Sequence, residues 1–110
     1  MTQEANKLLF DIREALGAIG VFTDGMSFED YLADAKTRAA VERKFEIIGE
    51  ACSRLRDRDP GVFETIKGAH QIIGLRNRII HGYDHVDDAI LWDIIKINLP
   101  ALACHLPAEE

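Results

Sequence analysis

Residues 41–55 read VERKFEIIGEACSRL. Val41, Phe45, Ile48, Cys52 and Leu55 fall at alternating steps of four and three, which is one apolar stripe on a helix, with charged residues filling the turns between. A strand needs period-two alternation, and no segment of the chain sustains it, so the expected fold class is all-α. Upstream, Ser27 with Asp30 resembles a capping box, so this helical segment is expected to start there and run to about Leu55, with a break near Leu32. Downstream, Asp59-Pro60 resets the chain, because proline suits the first turn of a new helix and disfavours helical geometry in the residue before it.

The same period extends outward in both directions. Leu8, Leu9, Ile12, Leu16 and Ile19 predict a first helix over about Glu4 to Ile19, with Gly20 as its stop. A third helical region follows Pro60 and ends at His81-Gly82, apolar through Ile72, Ile73, Leu75, Ile79 and Ile80 and polar through Lys67, His70, Gln71, Arg76, Asn77 and Arg78. Asp87 or Asp84 caps a last helix, in which Ile90, Ile94, Ile97 and Ala101 form one row and Leu91, Ile95 and Leu102 another; Pro100 should kink it near Ile97. Short connections favour antiparallel neighbours. The expected architecture is a small antiparallel four- to five-helix bundle forming a single domain over residues 1–110.

The composition, with 47% hydrophobic residues in 110, suits one core and leaves no room for a second. No uncharged apolar run reaches the roughly 18 residues of a membrane span, and Met1-Thr2-Gln3-Glu4 lacks the order of a signal peptide, so a soluble, cytoplasmic protein is expected. Cys52 and Cys104 lie in apolar helical patterns without a C-x-x-C pair and read as buried free thiols of a reducing compartment. The net charge of -6 conceals an asymmetry: residues 36–78 hold ten bases against six acids, a surplus of four that permits an electropositive face on an acidic protein.

Within that stretch Arg76-Asn77-Arg78-Ile79-Ile80-His81-Gly82-Tyr83 gathers the chemistry. On a helix Asn77 and His81, four apart, share a face, and Arg76 and Tyr83 return within about 20° of each other. Gly82 should end the helix, leaving His81 where the terminal carbonyls and the helix dipole favour imidazolium. A histidine that exchanges protons near neutrality, beside an arginine that keeps its charge, suits attack by a ribose 2′-hydroxyl on the adjacent phosphate of RNA without a metal. One histidine is a thin set, and a two-fold homodimer would bring two into one cleft. The plainer readings are a surface Arg76 paired with Asp84 or Glu64, a His81 bonded to helix-end carbonyls, and a Tyr83 packed under the last helix. His81 and His85 with Asp84, Asp87 and Asp88 admit a metal cluster, but helix caps explain the aspartates more simply, and no metal or other cofactor is expected. Trp92 and Phe45 read as core and not as base-stacking platforms.

Arg76-x4-His81-x-Tyr83, followed by Val86-Asp87 in an all-helical chain of this length, resembles the HEPN nucleases and, among them, the HepT toxins. The resemblance implies an RNase toxin active as a homodimer and encoded beside a minimal nucleotidyltransferase antitoxin. It implies Arg76 and His81 as catalytic residues, Asn77 as their polar companion, and Tyr83 as the residue the antitoxin adenylylates to silence the nuclease. Two other classes stand beside it: a non-catalytic helical module that binds a nucleotidyltransferase partner through acidic faces, and a structural dimerisation domain, which gives no reason for Arg, Asn, His and Tyr to gather at one helix end.

Overall fold

A computed structural model of the chain describes residues 1–79 and 86–108. It is all-helical among those residues: α1 Gln3–Thr23, α2 Phe28–Ala33, α3 Ala35–Arg58, α4 Pro60–Glu64, α5 Ala69–Ile79, α6 Asp88–Asp93 and α7 Leu99–Cys104, the last two joined through a wide turn over Ile94–Asn98. No helix among the described residues is long and apolar enough to cross a membrane.

Short polar residues start the helices by accepting N–H groups that have no partner within the helix. Thr2 accepts from Ala5 at 3.0 Å, Ser27 and Asp30 form the reciprocal capping box, Asp59 accepts from Val62 at 3.2 Å and Asp87 from Ile90 at 3.1 Å. The break expected near Leu32 falls at Asp34, which leaves helical geometry and caps α3. Bonds from the Thr37 backbone N–H and hydroxyl hold its carboxyl below the usual carboxylate range.

Two expected boundaries are corrected. Helix α1 runs past Gly20 to Thr23, because another turn buries Ile19 and Thr23, whose hydroxyl donates to the Ile19 carbonyl at 2.8 Å. The chain turns instead at Gly25, whose φ of 73° lies in the left-handed region. The third region, expected as one helix, is two: the last turn of α4 closes with Thr65 and Ile66 donating to Val62 and Phe63, and Gly68 at φ 92° turns the chain into α5. Its end at His81-Gly82 lies outside the described residues.

The stripe of α3 is the central ridge. Val41, Phe45, Ile48, Cys52 and Leu55 are buried, facing Leu8, Leu9, Ile12 and Ile19 of α1 and Ile72 and Ile73 of α5 within one hydrophobic cluster. Glu4 at the start of α1 meets Arg58 at the end of α3 at 3.4 Å, so the two lie antiparallel; α5 runs back along α3. The last rod closes the bundle with Leu91, Ile94, Ile95, Leu99 and Leu102. Of its two expected rows, Leu91, Ile95 and Leu102 are buried throughout, whereas in the other Ile94 is buried but Ile90 and Ile97 are 39% and 67% exposed. Pro100 disturbs it where expected. It has no N–H and its ring crowds the carbonyl four residues back, and just before it Leu99 N–H reaches the Ile94 carbonyl, a turn one residue wider than an α-helix.

Trp92 packs on Tyr31 with ring centroids 5.1 Å apart and Lys96 Nζ 4.6 Å from its own, while Phe45 is sealed in the core, as read from sequence. Cys52 is buried, which pushes its thiol up to about 12; Cys104, expected buried, is exposed because it ends α7 on the outer side. Beneath α2 and α6, burial together with Asp88 and Glu42 raises the Tyr31 hydroxyl, and burial together with Asp88 raises Glu42. Arg38, 3.7 Å from Asp88, offsets part of that crowding of negative groups.

Candidate active site

Helix α5 is held from both ends of its sequence pattern. Ile72 and Ile73 anchor its inner face, and His70 sets its ring edge against Phe63 of α4 at 4.6 Å while meeting Glu64 at 3.0 Å. Arg76, one turn beyond Ile72, therefore emerges along the seam with α3 and not into open solvent. Its side chain is only 26% exposed, whereas Asn77 and Arg78 are exposed.

The seam is shaped for that arginine. A Cβ added to Gly49 of α3 would lie 2.6 Å from Arg76 Cγ, 2.9 Å from Cδ and 3.0 Å from Cβ, so the arginine stem occupies the space a side chain would take. The guanidinium donates to Asn77 Oδ1 at 3.3 Å and stands 3.8 Å from Glu50 Oε2, while Arg54 Nε approaches the other oxygen of that carboxylate, Oε1, more closely at 3.0 Å. Arg76 Nε is buried with no hydrogen-bond partner among the described residues. The acid read as its partner from sequence, Glu64, belongs to His70, and Asp84 lies outside the described residues.

Arg76 forms one wall of an open cleft of about 310 Å³ between α1 and α3, with Lys7, Arg43, Glu46, Glu50 and Arg54 on the others. The basic surplus of residues 36–78 is partly neutralised there and along α3: Arg43 pairs with Glu46, Arg54 with Glu50, Arg56 with Asp57 and Arg58 with Glu4. Such exposed pairs hold weakly and open to a stronger anion. Arg76 differs from them in being three-quarters covered, which strengthens its attraction to an opposite charge, while its pair with Glu50 is long. A planar fork in that state suits a phosphate, which it can grip through two parallel N–H bonds.

Among the described residues no three His, Cys, Asp or Glu side chains gather to hold a metal ion. Asp87 caps α6 and Asp88 faces Arg38; His81, Asp84 and His85 lie outside the described residues. The structure thus places Arg76 on the wall of a cleft, in hydrogen-bond contact with Asn77, while His81 and Tyr83 lie outside the described residues. What sequence reasoning missed is the pair Gly49-Glu50. The signal was present, since an isolated glycine inside a sustained helical stripe marks a close approach.

Comparison with known proteins agrees over nearly the whole chain. A family profile described as "Ribonuclease HepT-like" matches residues 12–108. A protein of Thermococcus cleftensis named "Probable ribonuclease HepT" is 36% identical over 105 residues, covering 93% of this chain and 92% of its own. Two proteins of Methanocaldococcus jannaschii with the provisional names RNase MJ0127 and RNase MJ1380 are 34% and 30% identical, covering 89% and 91% of this chain and 80% and 91% of theirs. No solved structure matches.

Proposed function

The chain belongs to the HepT-like ribonuclease family, and from that premise we propose that it is a metal-independent endoribonuclease toxin acting in the cytoplasm, its site formed across a homodimer by Arg76 and His81. The observation that carries the reading is the state of Arg76: a largely covered guanidinium on a cleft wall, its stem seated on Gly49, its charge only loosely met by Glu50. A covered planar fork of this kind suits a phosphate, which it can grip through two parallel N–H bonds.

In the reaction, the ribose 2′-oxygen bonds to the adjacent phosphorus and the bond to the 5′-oxygen of the next nucleotide breaks. One imidazole of the dimer takes the 2′-hydroxyl proton and the other delivers a proton to the leaving 5′-oxygen, each a contribution of ~10²–10⁴ in rate. Arg76 meets the charge that builds on the non-bridging oxygens, and Asn77, bonded to it, keeps the fork turned toward the cleft. The products are a 2′,3′-cyclic phosphate and a 5′-hydroxyl. Purified protein should therefore cleave RNA undiminished in excess chelator and leave those ends; cleavage that stops in chelator and returns with a divalent ion refutes the mechanism.

The partner is a minimal nucleotidyltransferase antitoxin that transfers adenylate from ATP to the Tyr83 hydroxyl: the new bond joins Tyr83 to the α-phosphorus and pyrophosphate leaves. An adenylate beside Arg76 and His81 would fill the phosphate position with a tethered one. Co-expression with the nucleotidyltransferase should add an adenylate mass to the Tyr83 peptide and stop RNA cleavage, while Tyr83→Phe stays unmodified and uninhibited. An unmodified Tyr83 peptide from an inhibited complex removes adenylylation from the account.

A further inference from the structure

The ribonuclease reading needs Arg76 to present its fork in one direction, and an arginine with four rotatable bonds does not do so unaided. Asn77 cannot fix it alone, being exposed and on the same helix. Among the described residues, the other contacts given for Arg76 come from Gly49 and Glu50 of α3. We infer that Gly49 and Glu50 act as a two-point seat on α3 that aims Arg76 at the scissile phosphate, Gly49 by receiving the stem and Glu50 by orienting the guanidinium.

Each half of the seat has its own observation. Gly49 is buried in the middle of α3, where alanine is the better helix former, and it leaves open the volume that Arg76 Cβ, Cγ and Cδ occupy. These are the root atoms of the side chain, so a Cβ at position 49 cannot be avoided by bending the far end; χ1 of Arg76 must change or α5 must lift. Glu50 stands one residue on, half exposed, with one carboxylate oxygen toward Arg54 at 3.0 Å and the other toward Arg76 at 3.8 Å. Arg54 thereby keeps Glu50 from closing fully on Arg76. The long contact orients the guanidinium while leaving donors to a phosphate, where a short bidentate pair would occupy them. Glu50 is accordingly a positioning residue.

The proposal rests on the ribonuclease reading for its purpose but not for its test, which is the Nε–Hε signal of Arg76 in ¹⁵N NMR of the full chain, recorded beside RNA cleavage. In the native protein that signal should be resolved and slow to exchange, because Nε is buried. Glu50→Gln, a half-exposed and nearly isosteric change, should bring it toward the averaged position of solvent arginines and lower kcat about tenfold at little-changed KM, the signature of an interaction used mainly in the transition state. Gly49→Ala should shift the signal and lower kcat further, on the order of a hundredfold for a displaced group. Asp57→Asn, which removes an equal charge from the same helix, should change neither. An Arg76 signal in Glu50→Gln indistinguishable from native overturns the seat whatever RNA cleavage does, and so does a rise in turnover, which would make Glu50 a repelling charge. A loosened signal in a protein that cleaves no RNA upholds the seat and dismisses the ribonuclease reading.

Discussion

Inducing this protein alone should arrest growth, and inducing its Arg76→Ala or His81→Ala variant should not. For Arg76 the expected loss is on the order of 10²–10³ in kcat, the cost of removing one group that meets transition-state charge. For His81 it is ~10²–10⁴, that of a general acid or base. Neither loss should come from unfolding. Arg76 lies outside the buried core, and Glu50 keeps Arg54 as a closer partner at 3.0 Å. A substitution of this kind costs about 1 kcal/mol or less in stability. Dimerisation and thermal unfolding of the variants should therefore match the native protein. Arg76→Lys separates charge from shape: it keeps the cation but loses the planar fork, and activity should recover only in small part. Arrest that persists in Arg76→Ala removes the arginine from the reaction. If none of the three proteins arrests growth while all are dimeric, the binding-module reading gains the weight the nuclease reading loses.

The parts of the fold legible in the sequence were those that repeat. The stripe from Val41 to Leu55 is a periodic signal fifteen residues long, and every residue in it that the spacing selected is buried. The cap at Ser27, and Asp87 as one of two candidates for the last helix, were legible because each is a local hydrogen bond between a side chain and the N–H three residues on; at Asp59-Pro60 only the proline was read, and Asp59 proves to cap α4 in the same way. Single events misled. Gly20 looks like a stop, yet a glycine exposed on the outer side of a helix costs only about 1 kcal/mol, less than burying Ile19 and Thr23 returns, so tertiary packing carried α1 through it. Gly68 was passed over although its left-handed φ divides α4 from α5. Of the candidate site, Arg76 and Asn77 were singled out in the sequence as residue types at a spacing, and the structure brings the two into hydrogen-bond contact. Their supports were not singled out, because Gly49 and Glu50 are distant in sequence and meet Arg76 only once α5 folds back along α3.

Phe45→Ala should be the most damaging core truncation accessible to a simple measurement. Phe45 has no exposed surface and sits midway along α3, the helix on which α1, α2, α4 and α5 all pack. Removing its ring forfeits the burial of a large apolar group and leaves a space that rigid helices on several sides cannot fill, a combined cost of about 3–5 kcal/mol. A domain of this size has roughly 5–15 kcal/mol in all, and each kcal/mol moves its unfolding midpoint by about 4–8 °C, so the midpoint followed by helical circular dichroism should fall by more than about 12 °C. Phe10→Ala on α1 is the matched control. Phe10 is 50% exposed, and its loss should move the midpoint by no more than a few degrees, consistent with about 0.5 kcal/mol for an exposed site. The comparison also bears on the site, because Phe45 lies one turn before Gly49 on the same helix. If the seat for Arg76 is carried by α3, activity in Phe45→Ala should fail on warming together with the helical signal and return on cooling. Equal midpoints for the two variants would show that α3 is not the ridge around which the bundle is built.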